Sequence, residues 1–595
     1  MKGKTKFFKR KGLKYCQQTS LHGWQYIDSE QGLLHMVFWF FIILMSISLS
    51  IYFLIINTKA FLKATTVTSI DSTTASLKDL IFPSLYICNV NQVTKSFLKN
   101  LKVDKDDHAK QSLFDEFLTG KEVEDPINYI QKILEMTKKM KNIYNWNSYT
   151  RFLDVSSQNC SDMILGARWK SNFNTTFYDA FKTSTDYGAC CLITPYLDLE
   201  NPKTRHISAR NYKGKHYHSI PKGLTRNGIQ NGLTVMIDVE SYDYGFFERG
   251  SEGLRVAIED SRDKPVIRQN GFYVSPGTET LIALVPSVIN TTQEAIDRFT
   301  PEQRNCYTDE EFRLKYFKYE MGFRYSMGNC LYESLLENIL SNCNCIPNFV
   351  NMGIDIPYND IDVCRGNKLE CAINNMNNFG NDDMGLNKAF DTNNKSMTCF
   401  TRCDMQQQNL ISTQSNYPNR QTFAARHDFC LILKKLNRVC KDPVRRITLE
   451  KYYETYDFFI SCEQMQSKEI TKICQYFDDD YEEEMSGFDW IEDDYDIYDE
   501  WDNFSPNTLI LNESPYKSKL IEFLYTYASE NIAILKVFYK DPYYTLFKKD
   551  EEMSTVSWIG NTGGLFGLCM GLSVVSIFEM LYHCFNFFLP IFKAH

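Results

Sequence analysis

Two apolar runs, one near each end of a chain of 595 residues, constrain the fold more than any other feature. The first runs from Leu33 to Ile56, with His35 its only residue able to carry charge. The second runs from about Val556 to Cys584. Each exceeds the roughly 20 residues that a helix needs to cross the hydrocarbon core of a bilayer. The first lies too deep in the chain, and is too long, for a cleaved signal peptide. It is also too apolar all round for a helix packed on a soluble core. Lys2, Lys4, Lys6, Lys9, Arg10, Lys11 and Lys14 precede it, against only Asp28 and Glu30. The positive-inside rule therefore puts this end in the cytosol. Two spans return the tail, with Lys593 and His595, to the same side. The expected organisation is a cytosolic segment 1–32, a first span 33–56, an extracellular domain 57–555, a second span 556–585 and a cytosolic tail 586–595. Such a chain sits in the plasma membrane with both termini inside the cell, and lipid is its first partner.

The cysteines agree with that topology. Of nineteen, Cys16 is cytosolic and Cys569 and Cys584 belong to the second span. The rest lie between the spans: Cys88, Cys160, Cys190, Cys191, Cys306, Cys330, Cys343, Cys345, Cys364, Cys371, Cys399, Cys403, Cys430, Cys440, Cys462 and Cys474. An even set in an oxidising compartment reads as a disulfide framework. Zinc is the rival reading, because Cys343-Asn-Cys345 and Cys399-x-x-x-Cys403 resemble ligand spacing, but the extracellular placement favours disulfides. Adjacent Cys190 and Cys191 are expected to have separate partners, since a bond between neighbours needs strained geometry. Glycosylation sequons begin at Asn159, Asn174, Asn290, Asn394, Asn503 and Asn512, all on the same side.

Between the spans the pattern is mixed. Phe82 to Asn91 reads as a strand entering a turn, and Asn531 to Tyr539 as a strand returning toward the membrane. Leu233 to Asp238, Leu254 to Glu259 and Phe272 to Val285 are β-rich runs, punctuated by Gly253, Pro265, Gly271 and Pro276-Gly277, and suggest a meander or sheet. Asp104 to Lys141, Asp309 to Tyr319 and Leu331 to Leu340 read as helices. The expected fold is an α+β membrane protein, with two transmembrane helices flanking a disulfide-rich extracellular domain of central β-sheet and peripheral helices. Phe477 to Asp502 carries fourteen acidic residues among Tyr, Phe and Trp. Such a run is a solvated loop or, as the other reading, a cation reservoir or weak Ca2+ site.

The second apolar run carries the chemistry. Gly560, Gly564, Gly567 and Gly571 are spaced four, three and four apart and share one helix face, where neighbouring helices can approach closely. Gly571-Leu572-Ser573 is an expected break, because glycine leaves helical backbone angles cheaply. Glu579 follows a little over two helical turns later, an ionisable group that is costly in lipid unless it snorkels to the interface or serves ions. No nucleophile–base pair, P-loop or HExxH motif points to an enzyme. No cofactor or metal site is expected, and the net charge of −9 offers no footprint for nucleic acid.

These residues resemble the degenerin/epithelial sodium channel family, particularly its pickpocket-like branch. His22-Gly23 is similar to the family's cytosolic motif, and Phe82-Pro-Ser-Leu-Tyr-Ile-Cys-Asn-Val-Asn91 to its first extracellular strand. Gln303-Arg-Asn-Cys306, Tyr325-Ser-Met-Gly-Asn-Cys330 and Cys343-Asn-Cys-Ile-Pro347 resemble its thumb cysteines. Gly563 to Glu579 resembles its pore helix almost position by position. The resemblance implies an amiloride-sensitive, sodium-selective channel subunit, working as a homo- or heterotrimer that passes Na+ down its gradient. Gly571, Leu572 and Ser573 would then be the selectivity filter, and Gly560, Gly564 and Gly567 an outer gate. Bulky residues at the position of Gly560 would hold that gate open. Glu579 would form an acidic ring, and His22-Gly23 would control opening from the cytosol.

Ser334, Ala167 and Met397 stand where the family carries cysteines, and Thr401 stands where it carries proline. Residues 406–514 resemble an enlarged insertion whose Cys430, Cys440, Cys462 and Cys474 pair among themselves. These departures leave open a divergent accessory subunit that conducts only in heteromers. A purinergic-receptor-like channel would share the topology, but no basic phosphate-binding motif lies beside the first span. A two-span scavenger or adhesion receptor would need no glycine-striped, acid-bearing second helix. The stimulus that opens the pore is not encoded in any motif.

Overall fold

The first apolar run folds as one helix, α1 (Leu33–Lys63), which continues past the expected end at Ile56. At 1.5 Å per residue it is about 46 Å long, more than a bilayer core requires. Its side chains face outward: Phe38, Phe41 and Met45 are 58%, 62% and 67% exposed, which rules out the core helix of a soluble body. The structure is a computed structural model that describes residues 15–27, 32–100, 156–169, 180–193, 226–245, 251–260, 263–317, 324–347, 364, 367–377, 388–390, 396–423, 427–456, 458–465 and 515–592. The chain forms two units. One contains residues 1–70, 290–305 and 547–595, the other residues 71–289 and 306–546. The expected helix at 104–141, the acidic tract, Cys474 and the sequons at Asn174, Asn394, Asn503 and Asn512 lie outside the described residues. Asn159 and Asn290 are exposed.

The strands of the two larger sheets are β1 (Thr66–Ser76), β2 (Ser84–Asn89), β3 (Ile164–Trp169), β4 (Phe181–Ser184), β5 (Ala189–Ile193), β6 (Leu233–Asp238), β7 (Leu254–Glu259), β8 (Phe272–Val274), β9 (Thr278–Thr291), β10 (Asp404–Asn416), β11 (Ile532–Tyr539) and β12 (Tyr543–Glu551). The remaining principal helices are α2 (Gln293–Arg298), α3 (Met327–Cys343), α4 (Asn367–Asn377), α5 (His427–Lys441), α6 (Pro443–Tyr453), α7 (Pro515–Asn531), α8 (Thr555–Met570) and α9 (Val574–Phe592).

One sheet has the order β1-β12-β9-β11-β6-β3, with β10 also paired to β9, and a second has the order β4-β5-β2-β7-β8. The β-rich runs therefore form sheets, as one of the two readings expected, but not a meander. β6 and β7 join different sheets, and β11, from near the end of the chain, lies between β6 and β9. β11 runs parallel to β9, which a meander does not allow. β11 reads as a continuous apolar run because it is covered on both faces. Ala533, Leu535 and Val537 pack with Leu85, Val256 and Ile237 in a core fed by both sheets. Ile532 and Ile534 pack with residues of α5, α6 and α7, such as Leu433, Leu449 and Phe523.

Residues 309–317 do not form the expected helix. Glu333 on α3 accepts the backbone N–H groups of Lys315, Tyr316 and Phe317 at 2.7, 3.0 and 3.3 Å, and so holds this segment as a turn. α3 itself starts earlier than expected and contains Cys330 rather than following it. The stretch read as an insertion from 406 begins within β10, a member of the larger sheet whose Gln406 amide bonds the backbone of Ile81 in both directions.

Seven disulfides close among the described residues: Cys88–Cys190, Cys160–Cys191, Cys306–Cys403, Cys330–Cys399, Cys343–Cys371, Cys345–Cys364 and Cys440–Cys462. Cys190 and Cys191 thus have separate partners. Cys343, Cys345, Cys399 and Cys403 are all taken up in disulfides, which removes the zinc reading. Cys430 is disulfide-bonded too.

α5 and α6 are pinned to the turn after β6 by buried charge. Lys435, fully buried, lies 2.8 Å from Glu240 and 3.3 Å from Asp162, and Arg445 pairs with both carboxylates. Lys435 and Arg445 bring the Asp162 carboxyl below its ordinary value despite burial, which acts the other way. Asp243, beside this cluster, accepts the N–H and hydroxyl of Ser96 at 2.7 and 2.6 Å. Burial, and then the charge of Glu240, push its carboxyl up to about 7. Burial also raises Asp238. Asp243 binds its proton more tightly folded than unfolded. Its contribution to stability is therefore complete below the ordinary 3.8 and lost as pH rises through about 7. Asp162 runs oppositely and loses its contribution only below 3.8. The Asp243→Asn variant is expected to show a flatter dependence of Tm on pH across that window than the parent protein. Superimposable Tm profiles in detergent would contradict the assignment.

Candidate functional site

The second apolar run is not one straight helix. α8 begins at Ser554, whose hydroxyl accepts the Ser557 N–H at 3.0 Å. It ends at Gly571, where φ is +68°, a value that L side chains rarely adopt. Ser573 then caps α9 by accepting the Ser576 N–H at 3.1 Å. The axes of α8 and of α9 up to Phe585 differ by 65°. Two corrections follow. Gly571 closes the glycine face rather than extending it, so of the four spaced glycines only Gly560, Gly564 and Gly567 lie on α8. Glu579 is placed by α9 across the bend, not two turns down a continuous helix.

The break is occupied from an unexpected direction. The N-terminal loop folds onto it, and the His22 N–H donates to the Met570 carbonyl at 2.9 Å. A Cβ built on Gly571 would stand 2.6 Å from Cδ2 of the His22 ring, closer than real Cβ contacts. Gly23, at φ +82°, faces Ile43 of α1, where a Cβ would stand 3.2 Å from Cγ1. His22 thus meets the turn at Gly571 directly, while Gly23 packs against α1. Ser20 reaches Glu579: its hydroxyl donates to Oε2 at 2.8 Å and its N–H to the same oxygen at 3.3 Å. By contrast, a Cβ on Gly560, Gly563 or Gly564 would meet nothing within 4 Å in this chain.

Two polar residues at the outer ends of the helices were not singled out from sequence. Asn57 on α1 donates to the Thr562 hydroxyl at 2.8 Å and to the Trp558 carbonyl at 3.3 Å, tying α1 to α8 near Gly560. Arg298, ending α2, donates to the Glu551 carboxylate and the Met553 carbonyl at 2.5 Å each, and to the Phe61 carbonyl at 2.9 Å. Its guanidinium also sits 3.8 Å from the centroid of the Phe61 ring. One planar fork thus holds the end of α1 and the approach to α8. The only sequence signal at Asn57 was an amide at the edge of an apolar run. Arg298 gave none.

The chain thus combines a disulfide-stapled pair of sheets, one helix long and apolar enough to cross a membrane, and a second apolar segment broken at a glycine where polar groups gather. The chain belongs to the amiloride-sensitive sodium channel family, whose pattern it matches over residues 15–583. It is 25% identical over 371 residues to Pickpocket protein 28 of Drosophila melanogaster, covering 57% of this chain and 55% of that protein. With Pickpocket protein 19 of the same organism it shares 21% identity over 436 residues, 70% of this chain and 80% of the relative. With human Acid-sensing ion channel 2 it shares 26% over 310 residues, 49% and 51% of the two chains. The chain thus spans about half the length of Pickpocket protein 28 and of Acid-sensing ion channel 2. These similarities fit the pickpocket-like branch.

Proposed function

We propose that this chain is a subunit of a sodium-selective, amiloride-sensitive cation channel of the plasma membrane. It works as a trimer, homomeric or with related subunits, and is opened by an extracellular stimulus. α1 and the bent α8–α9 pair are its two spans, with both termini in the cytosol. The observation that carries this reading is the break at Gly571 with His22 seated against it. A helix interrupted inside an apolar segment leaves backbone carbonyls without helical partners, and a membrane tolerates that only where protein, water or ions supply them.

In this reading Gly571, Leu572 and Ser573 from each subunit form the narrow filter. Gly560, Gly564 and Gly567 form the outer gate. The faces of Gly560 and Gly564, unfilled within one chain, are where neighbouring subunits approach. Glu579 contributes to an acidic ring on the cytosolic side that concentrates cations and turns anions away. His22-Gly23 braces the filter turn and couples the cytosolic segment to opening.

Glu579→Gln keeps the side chain's shape and removes its charge. The expected outcome is a unitary Na+ current several-fold smaller, with normal surface expression, because local cation enrichment by a fixed charge is worth a factor of roughly ten or more. A unitary current and reversal potential unchanged from the parent would remove the ring from the reading.

A further inference from the structure

We propose that Ser20 is a positioning residue for Glu579, and that it sets how strongly the cytosolic mouth of the pore holds cations. The proposal rests on the reading of Glu579 as a pore carboxylate. Nothing in the sequence marks Ser20. It sits two residues ahead of the His22-Gly23 pair and belongs to no chemical motif of its own.

The geometry around it is specific. Ser20 is held in place from both sides, because the Thr19 N–H is bonded to the Tyr15 carbonyl and the His22 N–H to the Met570 carbonyl. Its two donors, backbone and hydroxyl, both fall on Oε2 of Glu579. Among the described residues Oε1 accepts no bond. The Ser20 hydroxyl also lies 2.8 Å from the hydroxyl of Ser576, which is 1% exposed. Ser576, whose one proton then goes to Ser20, accepts from the Ser573 hydroxyl at 3.0 Å. One chain of hydrogen bonds therefore runs from the Ser573 hydroxyl, through Ser576 and Ser20, to Glu579. Its middle link is supplied by a segment more than 500 residues away in sequence.

Hydrogen bonds to a carboxylate and coordination of a cation use the same lone pairs. With two donors on Oε2, Glu579 offers a passing cation one committed oxygen and one open oxygen. That arrangement holds ions weakly enough to release them, as conduction requires. Removing the Ser20 hydroxyl returns most of Oε2 to the pore, and cations that bind carboxylates tightly then dwell longer. Mg2+, a hard cation that prefers carboxylate oxygen, reports this most sharply.

The test is block of inward Na+ current by Mg2+ applied to the cytosolic face of excised patches. Ser20→Ala is expected to tighten block on the order of tenfold, the scale of one hydrogen bond to a charged group. Ser20→Thr, which keeps the hydroxyl, is expected to restore the parent value. In Glu579→Gln channels Mg2+ block weakens, and adding Ser20→Ala changes nothing further, because Ser20 acts through the carboxylate. Unchanged block in Ser20→Ala, with weakened block in Glu579→Gln, overturns the role of Ser20 and leaves the acidic ring standing. An effect of Ser20→Ala that persists in full on the Glu579→Gln background also overturns it. If Glu579→Gln alters neither block nor unitary current, the ring fails, and the positioning role falls with it.

Discussion

Gly571→Ala is expected to reduce macroscopic Na+ current by about tenfold or more at unchanged surface expression. Two independent costs meet at this position. An alanine at φ +68° takes up a left-handed conformation costing roughly 1–2 kcal/mol, and 1.4 kcal/mol is already a factor of ten. Its Cβ also falls 2.6 Å from the His22 ring, so either the ring or the turn must move. The two costs are separable. His22→Ala added to Gly571→Ala removes the steric part and leaves the backbone part, so partial recovery is expected. Full current in Gly571→Ala would show that neither the left-handed turn nor the His22 contact matters for conduction. No recovery in the double variant would show that His22 does more than fill space. Cell-surface labelling separates both results from a failure to fold.

Arg298→Ala is expected to change open probability several-fold while leaving unitary current intact. The side chain serves three acceptors at once, and its partner Glu551 is mostly buried, with 10% of its side chain exposed. Truncation strands that carboxylate and frees two backbone carbonyls, one of them in the last turn of α1. Breaking such a partly buried charged contact costs on the order of 1–3 kcal/mol. That energy falls on the joint between the end of α1 and the start of α8, away from the break proposed as the filter. Arg298→Lys is not expected to rescue, because one ammonium cannot reproduce the planar fork that reaches carboxylate and carbonyl together. Single-channel recording distinguishes the outcomes. Altered unitary current with unchanged open probability would place Arg298 on the conduction path rather than at the joint.

The parts of the fold legible in the sequence are those decided locally. β6 and β7 appear with their observed ends, because β-branched runs bounded by glycine or polar turns need only their own composition to be recognised. The break at Gly571 was legible for the same reason: a glycine followed by a small polar residue can end one helix and cap the next without outside help. Pairing order was not, since periodicity marks a strand but not its neighbour. β11 therefore enters between β6 and β9 with no local signal. Residues 309–317 were misread as a helix because their backbone donors are claimed by Glu333, a partner that spacing alone does not show.

The site follows the same division. Glycines and the lone carboxylate stand out in an apolar run because they are costly there. Ser20, Asn57 and Arg298 are ordinary polar residues at segment ends. Each finds its partner hundreds of residues away, as Asn57 does across 505 positions to Thr562, and only the folded chain reveals them. The resemblance at His22-Gly23 implied control from the cytosol. The contact with Gly571 supplies a physical route, since a ring packed against the turn must yield for the turn to move.

The most direct measurement is two-electrode voltage clamp of oocytes expressing the full chain, alone and together with a related pickpocket subunit, with external sodium exchanged for a large organic cation. An inward current that amiloride blocks, that disappears on sodium removal and whose reversal potential follows the sodium gradient is the expected result. Surface-expressed protein that yields no sodium-dependent, amiloride-sensitive current in either combination would contradict the assignment of a sodium channel.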